Sequence, residues 1–308
     1  MLDLLQKARF QVLLLAAGVV LAVLATFRVD DLKALKLVPL DSPVVPILVL
    51  GVTLIVASLV GASATAYTEG LSELFGGVKV AVSGGASSAR IGDATIAVEQ
   101  GRLEASVAKP QDTLVVLPAN EFFDDACIAD SKSALGAFIQ AKYPGQMPAL
   151  QALVASRLRA RATQRVQREA GVMMDSYGPG ATVFLDRVLG SDFRLLLVAV
   201  TTHRQGEGLR ATPGILFNLV QAAYVTAREH RICEICLPLL GAGHGTINAE
   251  LALTAQLLAW CEILYRMPSN MRIRIVVFQA DKSAQPSLAT KRSKRLLRFA
   301  LATCRPAT

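Results

Sequence analysis

The sequence predicts an α/β protein in two parts. An N-terminal transmembrane helical hairpin comes first, then an α/β/α sandwich with a mixed, largely parallel sheet. Three observations carry that prediction. Two uncharged apolar blocks lie within the first 70 residues. Beyond residue 76, short apolar runs alternate with helical stretches of ten or more residues, the pattern of parallel strands joined by crossover helices. One of those runs stops at Pro238 and is followed by three glycines within five residues.

The apolar blocks are 10–27, "FQVLLLAAGVVLAVLATF", and 44–66, "VVPILVLGVTLIVASLVGASATA". A membrane-spanning helix needs about 20 such residues. Lys7 and Arg9 precede the first block, as in a signal peptide, but "LAVLATF" is a poor cleavage site and a second span follows directly. A hairpin places both chain ends on one side. The connection carries Arg28, Lys33 and Lys36 against Lys7 and Arg9 in the N-terminal stub, so charge bias does not set that side and leans slightly against a cytosolic domain. The five cysteines are odd in number and lack a framework spacing, as in a reducing compartment. The expected arrangement is a multi-pass membrane protein, N-in and C-in, with the C-terminal domain in the cytoplasm. In the second span Gly51, Ala57 and Gly61, with Ser58 and Ala62, offer a small-residue face for association in lipid.

The domain from 76 to 308 is read in order. "VKVAVSG" and "RIGDATIAVEQG" are strand-like, with Gly92 and Asp93 at a tight turn and "GASSA" as a separator. "TLVVLPAN", 113–120, is a buried strand. The region 135–171 reads as helical, with Leu150, Leu153, Val154, Leu158 and Ala162 on one face and Arg157, Arg159, Arg161, Arg165 and Arg168 mostly elsewhere. "ATVFLD", "RLLLVAVTTH", "ICEICLPLL" and "RIRIVVFQA" are further strands, with helices over about 213–229 and 248–265.

The glycine loop suggests an anion. Glycines permit close backbone approach, and loop N–H groups beside a following helix N-terminus seat a phosphate. Asn248 or Thr246 is placed to cap that helix. Alternatively the glycines only make a tight turn. The loop is neither a Walker loop nor a dinucleotide fingerprint.

Cys233 and Cys236 have no second ligand pair and read as core packing rather than zinc or redox chemistry. His203 ends a strand and either lines a pocket or sits on a loop; His230 reads as a surface residue at a helix end. No arrangement for nucleophilic catalysis has supporting context, so no catalytic residue and no metal is expected. The net charge of +8 suits an anionic ligand or a lipid surface. The basic stretch 291–299, "KRSKRLLRF", either lies on anionic lipid or is a solvated helix face. Nucleic acid is disfavoured, because no aromatics interleave the basic runs.

Five motifs in order resemble the macro domain family over about residues 78 to 280: "VVLPANEFF", "SALGAFIQAKYPG", "GPGATVFLD", "AVTTH" and "LPLLGAGHG". The resemblance implies that Asn120 meets the distal ribose of ADP-ribose. It also implies that Gly241, Ala242, Gly243, His244 and Gly245 hold its diphosphate, and that Thr202 belongs to the strand lining the pocket. Asp124 and Asp125 open the variable first loop, where they would meet a group decorating the ribose. Two departures stand out. Arg102 occupies the position where the family carries an adenine-binding Asp, and "FFDDACIADSKS" replaces the glycine triplet of the hydrolytic members.

With two spans ahead of it, the domain resembles the membrane effectors of Thoeris-type antiphage systems. That resemblance implies a receptor anchored in the bacterial inner membrane rather than an enzyme. Its ligand is an ADP-ribose-containing nucleotide, with a histidine or other base conjugate among the options, made by a TIR-domain partner. Binding drives homo-oligomerisation and membrane disruption. The alternatives are a membrane-bound ADP-ribosyl hydrolase and a structural membrane adaptor with a degenerate pocket.

Overall fold

The computed structural model describes residues 79–161, 163–169, 171–204, 206–243, 245–278 and 290–305. All belong to the second of two units of the chain, Gly77–Thr308. The apolar blocks 10–27 and 44–66 lie outside the described residues. Among the described residues no helix is long and apolar enough to cross a membrane.

Eleven strands are described. β1 (Val80–Ser83), β2 (Ala86–Ile91) and β3 (Ala94–Gln100) form a meander. β4 (Thr113–Asn120), β8 (Arg194–Arg204), β10 (Glu234–Pro238) and β11 (Arg272–Val277) follow the apolar runs of the sequence. With β7 (Thr182–Leu185) they build one sheet in the order β1-β2-β3-β11-β10-β4-β8-β7, and β9 (Gly208–Arg210) pairs with β8. The five strands from β3 to β8 in that order are mutually parallel and the flanks are antiparallel. The five carboxyl ends therefore share one edge, which is where ligands of open α/β sheets bind.

The near-continuous apolar run of β8 follows from burial on both faces. Period-two alternation sorts each strand between two cores. Leu114, Val116, Leu196 and Val198 face one side, with Trp260. Val115, Leu117, Leu195 and Leu197 face the other, with Phe138 and Leu150. The first core is covered by α5 (Pro213–Glu229), α6 (Ala249–Arg266) and α7 (Thr290–Cys304). The second is covered by α3 (Ala134–Lys142) and α4 (Met147–Leu158), with the short helices α1 (Leu103–Ser106) and α2 (Asp125–Ala129) beside them. Caps define the helix starts. Ser133 accepts from Gly136 N, Thr212 from Ile215 N ahead of Pro213, and Asn248 from Glu250 N at 2.9 Å.

Two sequence expectations are corrected. Helix does not run from 135 to 171: α4 ends at Leu158, and β5 (Gln164–Glu169) pairs with β6 (Val172–Ser176) as an antiparallel hairpin turning at Gly171, φ +79°. The arginine spacing there fits a helix surface and a two-sided polar strand equally, and Gly171 decides for the turn. "GASSA" is also no separator, because residues 86–91 are β2 and the turn is Gly84–Gly85.

All five cysteines are free. Cys236 is buried in β10, and burial pushes its thiol up to about 12, while Cys233 precedes the strand and is exposed.

Candidate functional site

A cleft of about 420 Å³ opens at the carboxyl ends of β4, β8 and β10. Its walls are of two kinds.

The first wall is the loop after β10. Gly241 sits at φ +80°, and a Cβ there would meet Ile247 Cδ1 at 3.1 Å and Ala211 Cβ at 3.3 Å. At Gly245 a Cβ would fall 2.7 Å from Gly241 O and 2.8 Å from Ala211 Cβ. These two glycines are needed to close the loop, which is tied by Ala211 N donating to Gly245 O and Ile247 N to Gly241 O. Gly243 differs: it is exposed, and a Cβ on it meets nothing within 4 Å. Fold closure needs two of the three glycines, and the third leaves bare backbone facing the cleft.

The second wall is the segment after β4, organised by side chains. Asn120 is buried, 3% exposed. Its Oδ1 accepts from Phe122 N at 3.1 Å and its Nδ2 donates to Asp124 Oδ2 at 3.1 Å, which fixes the amide orientation and leaves one N–H for a ligand. Asp124 Oδ1 accepts from Cys127 N at 2.8 Å, capping α2, and its Oδ2 also accepts from Arg168 of β5. Glu121 ties the same corner together: its carboxylate accepts from Ser176 Oγ and from His203 N. The α3 N-terminus completes the wall. Gly136 is essential there, because a Cβ would lie 2.1 Å from Asp130 O.

Lys132, Ser133 and Arg168 line the cleft beside these loops, together with Asp130, whose Oδ1 accepts from Lys132 N at 2.9 Å, so two cations face one carboxylate among these residues. That arrangement receives a multiply charged anion, with a fixed amide for a hydroxyl at one end. Cys127 also lines the cleft, but burial foremost pushes its thiol up to about 11, leaving it protonated and unreactive near neutral pH. Among the described residues no group of three or more His, Cys, Asp or Glu side chains could hold a metal ion.

Of the residues singled out from the sequence, Asn120, Gly241, Gly243 and Gly245 come together in the cleft. Asp124 stands behind Asn120 with both oxygens engaged. The Asp125 side chain and His244 lie outside the described residues. Ala242 packs against the core below. Thr202 Oγ1 donates to Arg210 O at 3.3 Å, and its neighbour Thr201 lines the cleft instead. The reason is a register shift between Ala119 and Asn120, which pairs Asn120 with Thr201; a slip of one residue exchanges the faces of a strand.

His203 lies outside the cleft lining, its ring 6.4 Å from Phe122, and His230 stacks on Phe184 at 4.0 Å. Arg102 is exposed at the start of α1, with its guanidinium 5.1 Å from the centre of the exposed Phe278 ring. Sequence reasoning missed Arg168, Lys132 and Glu121. The only available signal for Arg168 was Gly171, which turns β5 and brings Arg168 back over the β4 end.

No curated protein matches the chain. Among solved structures it is similar to the Oceanobacillus iheyensis macrodomain with ADP, at 14% identity and TM-score 0.49, covering 73% of this chain and 97% of that one. It is also similar to the Trypanosoma brucei macrodomain in complex with ADP-ribose, at 12% and 0.42, covering 67% and 68%. A third is the macrodomain of Thermus aquaticus DarG, at 15% and 0.38, covering 59% and 98%. The sequence model of the family described as Thoeris protein ThsA, Macro domain, matches residues 105–277, more than half of the chain and every element of the cleft. The chain belongs to the Thoeris ThsA macro-domain family.

Proposed function

We propose that this protein is a membrane-anchored antiphage effector whose macro domain is the receptor for an ADP-ribose-derived nucleotide signal made by a TIR-domain partner. The observation that carries this reading is the cleft itself. A bare-backbone loop suited to a diphosphate faces an oriented Asn120 amide suited to a ribose hydroxyl, in a domain of the Thoeris family. Adenine then extends along the same sheet edge toward β3 and β11, where Arg102 and Phe278 offer a cation and a ring in place of a carboxylate.

The ligand is bound and released unchanged. The acidic side chains near Asn120 are engaged: Asp124 by a cap, an amide and a guanidinium, Glu121 by Ser176 and His203 N, and Asp130 by Lys132 N. A hydrolase would need a group free to orient water against the ribose.

The two apolar blocks anchor the protein, and neither carries a charge to line a channel. Membrane disruption therefore requires several copies. Span contacts through Gly51, Ala57 and Gly61 are van der Waals contacts between small residues and are weak on their own. Ligand-driven assembly of the macro domains raises the effective concentration of the spans and makes weak contacts sufficient.

Size analysis of the full-length protein in detergent, with and without ligand, tests this beside a growth assay. A larger oligomer on saturation and loss of toxicity in Gly61→Leu are expected. An unchanged oligomer together with a fully toxic Gly61→Leu contradicts the mechanism. Consumption of ADP-ribosylated protein, lost in Asn120→Ala, would favour the hydrolase.

A further inference from the structure

We propose that a second, basic groove on the opposite flank of the sheet binds the phosphate headgroup of an anionic phospholipid, a proposal that rests on the membrane-anchored reading above. The groove, about 740 Å³, lies where α7 packs against the β1–β2 hairpin. Lys79, Arg90 and Arg305 line it with Tyr265, above the apolar side chains of Ile91 and Leu301.

Charge is the first argument. Segments 79–95 and 290–305 together contain eight Lys and Arg and one acid, Asp93, which is exposed at the β2–β3 turn. Arg292 pairs with Glu250. Lys79, Arg90 and Arg305 have no ion-pair partner among the described residues. Three exposed cations around one concavity repel one another, and a phosphate diester relieves that repulsion.

The form of α7 is the second. Ser293, Leu297, Ala300 and Leu301 are buried against the domain, whereas Lys291, Arg295 and Phe299 recur at four-residue steps on the exposed side. Phe299 is 40% exposed. A helix displaying cations and an aromatic ring on one stripe suits the headgroup layer of a bilayer, where the cations meet phosphate and the ring enters the acyl boundary. The stripe lies on a different face of α7 from Leu301 and Arg305, so it is a separate basic and aromatic face of the same helix rather than part of the groove lining.

Hydrogen exchange of the full-length protein in phosphatidylcholine nanodiscs, with and without phosphatidylglycerol, tests the assignment. Segments 86–92 and 296–305 should exchange about fivefold more slowly or better in the anionic discs, the factor expected from one cation near an anionic surface. High salt should erase the difference, and so should Arg90→Glu combined with Arg305→Glu, both at exposed positions. Exchange in β4 and β10 should stay constant, showing that the variant is folded.

Equal exchange in the two discs overturns the proposal, as does protection that survives the double variant. Protection by soluble glycerol phosphate in neutral discs would reassign the groove to a free phosphate compound and overturn the lipid source. Failure to enter neutral discs counts against the anchor. The same exchange is then read with full-length protein and added vesicles, where groove protection is still expected only with phosphatidylglycerol.

Discussion

The two walls of the cleft are built on opposite principles. The 241–245 wall is backbone: its glycines are set by close approach to Ala211 and Ile247, and Gly243 contributes bare main chain. The Asn120–Ser133 wall is side chain: an amide, a carboxylate and a guanidinium hold one another, and the guanidinium arrives from a hairpin more than forty residues away. A backbone wall tolerates few residue types but needs no distant partner. A side-chain wall can be retuned residue by residue, yet it depends on the hairpin being docked.

Substitution within the glycine loop gives the largest expected effect. Gly245→Val places a branched side chain against Gly241 O and Ala211, so it should destabilise the domain by about 1–3 kcal/mol or more and abolish binding. Gly243→Val should also abolish binding, but with stability within about 0.5 kcal/mol of the parent, because nothing lies within 4 Å. Thermal unfolding beside nucleotide titration separates the two. If Gly243→Val unfolds the domain, the distinction between closing and facing glycines is wrong.

The side-chain wall should respond next. Asp124→Ala removes the α2 cap and leaves Asn120 and Arg168 without their acceptor, a loss of about 1–3 kcal/mol together with weakened binding. Arg168→Ala leaves the buried Asp124 carboxylate without its cation, a similar loss of about 1–3 kcal/mol, and it should weaken binding because a cation is removed from the cleft lining. Equal affinity in Arg168→Ala and parent protein would show that the hairpin plays no part in the site.

The smallest effect concerns Cys127. With its thiol pushed up to about 11 by burial, the thiolate is absent at neutral pH and forms only as pH approaches that value. Alkylation at this position should therefore be slow at pH 7.5 and accelerate steeply above pH 9. Stability follows the same sign: a folded-state pKa raised above the unfolded value of 9.0 contributes stability that is complete below pH 9 and is lost as pH rises toward 11. Rapid labelling at pH 7.5 would mean that the cleft opens far more than the structure shows.

Legibility followed the same division. The glycine loop, the β4 strand ending at Asn120 and the α5 and α6 helices were all readable, because each is encoded by local rules: glycine clusters, apolar runs, periodicity and caps. The β5–β6 hairpin was not, since "TQRVQREAG" satisfies helical and strand periodicities alike and only Gly171 tips the balance. Missing the hairpin hid Arg168, and with Arg168 the structural role of Asp124. Thr201, not Thr202, lines the cleft, and the register shift that pairs Thr201 with Asn120 leaves no mark on either strand's own sequence.

The 241–245 backbone is the part of the cleft on which nucleotide binding should depend most. Isothermal titration of the full-length protein in detergent with ADP-ribose, followed by chromatography of the nucleotide, tests it most directly. Saturable binding by the parent protein, recovery of the nucleotide unchanged, and no binding by a folded Gly243→Val variant are expected. Undiminished affinity in Gly243→Val, or no heat with the parent protein, would contradict it.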